Sequence, residues 1–160
     1  MTETRQEDEI KLYGYVTSPF VMKVTAFLKY KRLNYIHVHV RPLSNEQLQF
    51  TGQTQVPVLE INGEWRNDST QLGVWLDELY PEPPLLGMNA NDRQKILSID
   101  QWVSDVMIRS QFCEAVNWTN SYHSIRNGWR LARMVNFGTP IPWMWQLLWP
   151  FGTKRAPFIV

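Results

Sequence analysis

Two places in the chain put small polar side chains at the start of a predicted helix. Ser18 precedes Pro19, which is the pattern of an N-cap residue followed by proline at the first helical position. Asp68 and Ser69 precede a second apolar repeat of helical period. A serine at a helix N-terminus offers a hydroxyl and free N–H groups to a carboxylate, and a neighbouring aspartate can accept from an ammonium group. The simpler interpretation is that these residues only cap their helices.

The first of these helix starts lies in a predicted strand–helix–strand unit. Ile10–Tyr15 has the composition of a strand, and the helix is expected to run from Ser18 to about Lys31. Residues 35–40 alternate apolar side chains with two histidines and form a second expected strand. This order implies a right-handed crossover between parallel strands. The apolar repeat predicts that the helix buries Phe20, Val24, Phe27 and Leu28.

The second helix start follows a predicted hairpin. Pro57 opens the first strand of the hairpin, and Asn62-Gly63 is the strongest short hairpin signal. Residues 64–66 are then the returning strand. Ser69–Tyr80 is then an amphipathic helix, and the prolines of the stretch Pro81–Pro84 must stop it. Its expected buried face consists of Leu72, Trp75, Leu76 and Leu79. A short helix is also expected over residues 44–50. The whole region is therefore a small α/β layer of βαβ and ββα units.

The remainder of the chain is expected to be helical. Asn91-Asp92 opens a long helix that we expect to reach as far as Trp118, and a further helix is predicted over residues 124–136. Apolar residues at helical spacing mark the face of the long helix: Ile96, Ile99, Val103, Val106 and Met107. The fold class is thus an α/β domain followed by an all-α part.

Composition narrows the classes of function. The 160 residues carry 16 basic and 15 acidic side chains, so nothing in the net charge of +1 favours nucleic acid as a partner. The single cysteine, Cys113, excludes an intrachain disulfide and a Cys-based zinc cluster. No apolar run is long enough to span a bilayer, and the acidic N-terminus is not a signal peptide. We expect a reducing, cytoplasmic setting.

The hairpin and its flanks resemble the glutathione-binding half of cytosolic glutathione transferases. The resemblance rests on Val56-Pro57, on the Asp68-Ser69 helix start and on the segment Leu12–Phe20, which is similar to the first strand and active-site turn of the Ser-type enzymes. It implies a thioredoxin-like domain over residues 10–87 and a helical domain over residues 88–160. The helical domain of that family is normally longer, so the chain is expected to be cut inside it, as a fragment or a reduced relative.

The resemblance also implies a role for each site residue. Ser18 would hold the glutathione thiolate, which then attacks an electrophile without a metal. The other expected glutathione-binding residues are Gln55 near the glycyl carboxylate, Val56 through its backbone beside a cis Pro57, and Asp68 with Ser69 at the γ-glutamyl end. Tyr15 is the rival catalytic hydroxyl, because other classes of the family use a tyrosine near the end of the first strand. Tyr13 is expected in the core.

Two functions follow from this resemblance. The first is conjugation of glutathione, as co-substrate, to an electrophilic small molecule by a protein that forms a homodimer. The alternative is a non-catalytic domain of the same fold that mediates protein interaction or carries an apolar ligand. His37 and His39 lie on one face of a strand, as metal ligands can, but with no third ligand evident they are expected to be plain surface histidines. Cys113 is expected to be buried and inert.

Overall fold

A computed structural model describes residues 8–16, 18–40, 46–108 and 110. The chain divides into two units, Met1–Met88 and Asn89–Val160. The predicted helix over residues 124–136, the far end of the predicted long helix and Cys113 lie outside the described residues.

The first unit is a four-stranded mixed sheet. Its strands are β1 (Ile10–Gly14), β2 (Ile36–His39), β3 (Val58–Ile61) and β4 (Glu64–Asn67), in the order β2-β1-β3-β4. β1 runs parallel to β2, whereas β3 is antiparallel to both β1 and β4. The β3–β4 turn has positive φ at both Asn62 (52°) and Gly63 (87°), which is the type I′ geometry that the Asn-Gly pair predicts.

Two helices accompany the sheet, α1 (Pro19–Tyr30) after β1 and α2 (Ser69–Leu79) after β4. The main core joins β1 and β3 to both helices, and it centres on Leu12, Leu28, Leu59, Leu72 and Leu76, none of which is exposed to solvent. The buried residues of α1 are Val21, Val24 and Leu28, whereas the predicted Phe20 and Phe27 are half-buried. On α2 the predicted Leu79 is exposed. A Cβ on Gly14 would meet the Val21 side chain, so the helix lies close to β1 at this point.

A second cluster of buried residues involves the short 3₁₀ helix Glu46–Thr51, which overlaps the predicted helix over residues 44–50. It contains Tyr13, Val40, Leu48 and Val58. Tyr13 is buried as expected, and its hydroxyl donates to Glu60 Oε2 at 2.6 Å. The predicted alternation of β2 is only partly correct, because Ile36 is exposed and His37 is half-buried.

The end of α2 and the proline-rich stretch are held together by a buried ion pair. Lys31 Nζ lies 2.6 Å from Asp77 Oδ1, and it also donates to the carbonyls of Tyr80 (2.5 Å) and Pro83 (2.9 Å). Asp77 in turn accepts from the backbone N–H groups of Leu85 and Leu86. Burial alone would raise the pKa of the Asp77 carboxyl, but these hydrogen bonds and Lys31 outweigh it and lower that pKa.

The described part of the second unit is helical. α3 spans Ala90–Trp102, and a π-helical segment, Val103–Ile108, continues it. Asn89 caps α3 by accepting from Asp92 N at 2.9 Å. Within residues 8–16, 18–40, 46–108 and 110, no helix is long and apolar enough to cross a membrane.

Candidate active site

The strand register brings most of the predicted site residues to one end of the sheet. Tyr13, near the C-terminal end of β1, pairs with Val58, the first residue of β3, and Val58 pairs with Asn67, the last residue of β4. Three stretches of chain therefore meet at this end of the sheet. They are the segment that leaves β1 toward Ser18, the segment that enters β3 through Val56 and the segment that leaves β4 at Asp68. Neighbouring strands lie about 4.8 Å apart, so β1 and β4 are separated by roughly 10 Å.

Ser18 is the N-cap residue of α1, but its side chain does not cap the helix. Its backbone is extended (φ −71°, ψ 124°), and its hydroxyl accepts no hydrogen bond from the first turn. The backbone is fixed at both ends, because Ser18 N donates to Tyr15 O at 3.0 Å and Ser18 O accepts from Met22 N at 2.9 Å. Ser18 therefore occupies the N-cap position without a side-chain capping bond, and its half-buried hydroxyl can donate to another group.

Asp68 behaves in the opposite way. It is the N-cap of α2, and its Oδ1 accepts from Thr70 N at 2.9 Å and from Gln71 N at 3.1 Å. Its φ of 66° is unusual for a residue with a side chain, although aspartate tolerates it better than most. Such backbone outliers are frequent at ligand sites. Oδ2 makes no hydrogen bond within the described part of the chain, so one carboxylate oxygen is left for an ammonium group.

Ser69 follows at the first position of α2 and is buried, with 6% of its surface exposed. Because Asp68 Oδ1 accepts from the N–H groups of Thr70 and Gln71, the Ser69 hydroxyl is not used in capping. It makes no hydrogen bond to any other described residue. A helix N-terminus with an unused hydroxyl is suited to a carboxylate.

The Val56–Pro57 peptide bond is cis, as the resemblance implies. Pro57 is buried directly before β3, Val56 is half-buried beside both apolar clusters, and Gln55 is exposed. Antiparallel pairing with β1 ends at Val58, so the backbone of Val56 has no partner in the β1 ladder. This leaves a short stretch of backbone available for pairing with an extended ligand.

Tyr15, the rival hydroxyl, lies one residue beyond β1. Its ring packs on the cluster of Tyr13, Val40, Leu48 and Val58. Burial raises the pKa of the Tyr15 phenol, so the group stays neutral and can act as a donor but not as a tyrosinate. Both Ser18 and Tyr15 thus remain donors near the end of β1.

A groove of about 400 Å³ lies beside Asp68, between β4 and α2. Asp68 is the only predicted site residue among those that line it, and the others are Gln53, Trp65, Arg66, Asn67, Gln71, Val74, Trp75 and Glu78. Asn67 Nδ2 donates to Gln53 Oε1 at 2.6 Å, and the Arg66 guanidinium lies 4.6 Å from the centre of the Trp75 ring. Apart from Trp75, which was expected on the buried face of α2, the sequence did not single out these residues, because isolated polar side chains carry no pattern of their own.

The described residues of this site include no cluster of potential metal ligands. Within residues 8–16, 18–40, 46–108 and 110, no group of three or more histidine, cysteine, aspartate or glutamate side chains is placed to hold a metal ion.

Comparison with known proteins finds several relatives of this chain. The family described as the glutathione S-transferase N-terminal domain matches residues 12–84. Glutathione S-transferase Z1 of Arabidopsis thaliana is 34% identical over 92 residues, which cover 54% of this chain and 42% of that protein. Prostaglandin E synthase 2 of Danio rerio is 41% identical over 63 residues, 39% of this chain and 17% of that protein. The chain therefore spans less than half the length of these two curated relatives.

A solved structure shows the same fold. Maleylacetoacetate isomerase from Anaeromyxobacter dehalogenans 2CP-1 superimposes with a TM-score of 0.52 at 24% sequence identity, covering 94% of this chain and 79% of that one. That isomerase holds dicarboxyethyl glutathione and citrate in its active site. Together with the thioredoxin-like mixed sheet, the match over residues 12–84 shows that this part of the chain is similar to the N-terminal domain of glutathione S-transferases.

Proposed function

We propose that the chain binds glutathione at the end of the sheet where β1 and β4 finish and β3 begins. It would transfer the glutathione thiolate to an electrophilic small molecule. The observation that carries the proposal is the Ser18 hydroxyl, which stands at the start of α1 without capping it. Residues 10–87 would form the glutathione-binding domain, and residues 88–160 would form a partial helical domain.

The chemistry required of Ser18 is modest. An unperturbed thiol is only a few per cent ionised at neutral pH, and lowering its pKa by about two units requires roughly 2.7 kcal/mol. A hydroxyl that donates to a thiolate supplies about 1.5–3 kcal/mol, and the start of a helix adds roughly 0.3–1 kcal/mol. These two contributions suffice without a metal or a general base.

The remaining residues would anchor the tripeptide. The Val56 backbone would pair with the cysteinyl unit, and Gln55 would lie near the glycyl carboxylate. Asp68 Oδ2 would accept from the γ-glutamyl ammonium, and Ser69 would donate to the γ-glutamyl carboxylate.

The partners belong to the same proposal. One of the relatives, from Arabidopsis thaliana, is a glutathione S-transferase by name, and one solved neighbour, a glutathione transferase homologue, is described with glutathione bound. We infer glutathione and an electrophile as substrates, a detoxifying role, assembly as a homodimer and a cytoplasmic setting. The nearly balanced charge supports a small-molecule partner over nucleic acid.

Conjugation of a generic aromatic electrophile by the purified full chain tests this proposal. We expect glutathione-dependent turnover that falls at least roughly tenfold in Ser18→Ala, the loss expected for one hydrogen bond to a charged group. If Ser18→Ala is fully active and Tyr15→Phe is not, Tyr15 is the catalytic hydroxyl. If glutathione binds but no electrophile reacts, the non-catalytic alternative replaces the transferase.

A further inference from the structure

Two histidines stand side by side on the edge strand of the sheet. His37 and His39 are separated by one residue of β2, so both side chains leave the same face. Their ring centres lie 4.8 Å apart, with 35° between the ring planes. Among the described strands β2 pairs with β1 alone, so it lies at one margin of the sheet. The proposed glutathione-binding residues, by contrast, follow β1 and flank β3 and β4.

The hydrogen bond of His37 assigns its tautomer. His37 Nε2 lies 3.1 Å from the carbonyl oxygen of Gly14, and because a carbonyl only accepts, Nε2 must carry the proton. In the neutral imidazole the lone pair is then on Nδ1. Histidines that ligate metals commonly donate their other ring N–H to a backbone carbonyl, which fixes the tautomer and the orientation of the ring. His37 is already held in this manner.

The spacing of the rings also fits two ligands of one metal ion. A metal lies about 2.0–2.1 Å from an imidazole nitrogen, and therefore about 3.2 Å from the ring centre. Two such rings bound to one ion have their centres about 4.5 Å apart at a right angle and about 5.2 Å apart at the tetrahedral angle. The observed 4.8 Å lies between these values.

We propose that His37 and His39 form a two-nitrogen chelating site for a divalent transition metal. Imidazole suits Cu²⁺, Ni²⁺ and Zn²⁺, and the expected order of affinity is Cu²⁺ above Ni²⁺ and Zn²⁺. No group of three potential ligands exists among the described residues, so water or an external ligand completes the coordination. His39 is exposed, which gives the ion access from solvent.

Calorimetric titration of the full chain with Ni²⁺ at neutral pH, in buffer without glutathione, tests the site. We expect one ion per chain. Making the second imidazole an intramolecular ligand strengthens binding by roughly 10²-fold, so His39→Gln should weaken it by about that factor. His37→Gln should do the same, but it also removes the bond to Gly14, so the exposed His39 is the decisive variant.

The chain offers matched controls. His123 is the one remaining histidine, and Cys113 is the only thiol. His123→Gln and Cys113→Ser should leave the Ni²⁺ affinity unchanged, and circular dichroism of each variant should match the parent. Nuclear magnetic resonance should show Ni²⁺ broadening the ring protons of His37 and His39 first. No saturable binding, binding that survives His39→Gln, or binding that is lost in either control would overturn the site. Because glutathione is absent, none of these outcomes bears on the transferase proposal.

Discussion

Replacing Ser18 with alanine separates a catalytic hydroxyl from a structural one. An ordinary N-cap serine contributes about 1 kcal/mol to stability, and its loss to alanine is measurable. Ser18 makes no capping hydrogen bond, so Ser18→Ala should lower the free energy of unfolding by less than about 0.5 kcal/mol. Urea unfolding of the parent and the variant measures this difference. A loss near a full kilocalorie would show that the hydroxyl caps α1 in solution.

The same substitution should act strongly on the bound thiol. Removing a hydrogen bond worth about 1.5–3 kcal/mol to a charged group raises the thiol pKa by roughly 1–2 units. Ultraviolet absorption of the thiolate, followed across pH in the presence of saturating glutathione, gives that pKa directly. At neutral pH the thiolate fraction should fall about tenfold, and kcat/KM should fall with it.

Two variants at the same end of the sheet serve as controls. Ser69→Ala should weaken glutathione binding but leave the pKa of the bound thiol unchanged, since Ser69 would contact the γ-glutamyl end. Tyr15→Phe removes the rival donor and should also leave that pKa unchanged. An unchanged thiol pKa in Ser18→Ala would refute the role of Ser18, and a raised pKa in Tyr15→Phe would transfer the role to Tyr15.

Four further predictions follow from the described contacts. Asp68→Asn keeps an N-cap acceptor and should cost little stability while weakening glutathione binding in calorimetry, whereas Asp68→Ala should also lose about 0.5–2 kcal/mol of unfolding free energy. Lys31→Met leaves the buried Asp77 without its cation and should cost about 3–5 kcal/mol in urea unfolding, with Lys31→Met/Asp77→Leu recovering part of it. Because the folded pKa of Asp77 lies below 3.8, its stabilisation is present at neutral pH and should disappear as acid protonates it below that value; Asp77→Asn should flatten this part of the stability curve. Gly14→Ala places a Cβ against Val21 and should cost about 1–3 kcal/mol in thermal or urea unfolding, and a loss smaller than 0.5 kcal/mol would contradict the close approach of α1 to β1.

Much of the first unit was predictable because its signals are local. Proline at the first position of α1, the Asn-Gly turn and the apolar repeat of α2 each act within a few residues. The face of α1 was less certain, since Phe20 and Val21 both fit a helical period with Val24. The close contact of Val21 with Gly14 decides between them, and that contact joins residues whose approach no local pattern records.

The site was predictable only in part. Ser18 and Asp68 carry the same type of helix-start signal, yet only the Asp68 side chain caps its helix. The difference depends on backbone torsions, including the positive φ of Asp68, that tertiary packing imposes. The cis bond before Pro57 was expected from the family resemblance, because base rates alone favour trans. The hydrogen bond of His37 to Gly14 depends on the pairing of β1 with β2, so the sequence presented His37 as a surface residue.

The most direct test of the account is calorimetric binding of glutathione to the full chain at neutral pH, repeated in buffers with different ionisation enthalpies. A free thiol with a pKa of about 8.5 is almost fully protonated at that pH, and lowering the pKa by about two units ionises roughly three quarters of it. The account therefore predicts release of about 0.7 proton per glutathione bound, and no release for S-methylglutathione, which has no thiol. Binding without proton release, or no binding, would contradict it.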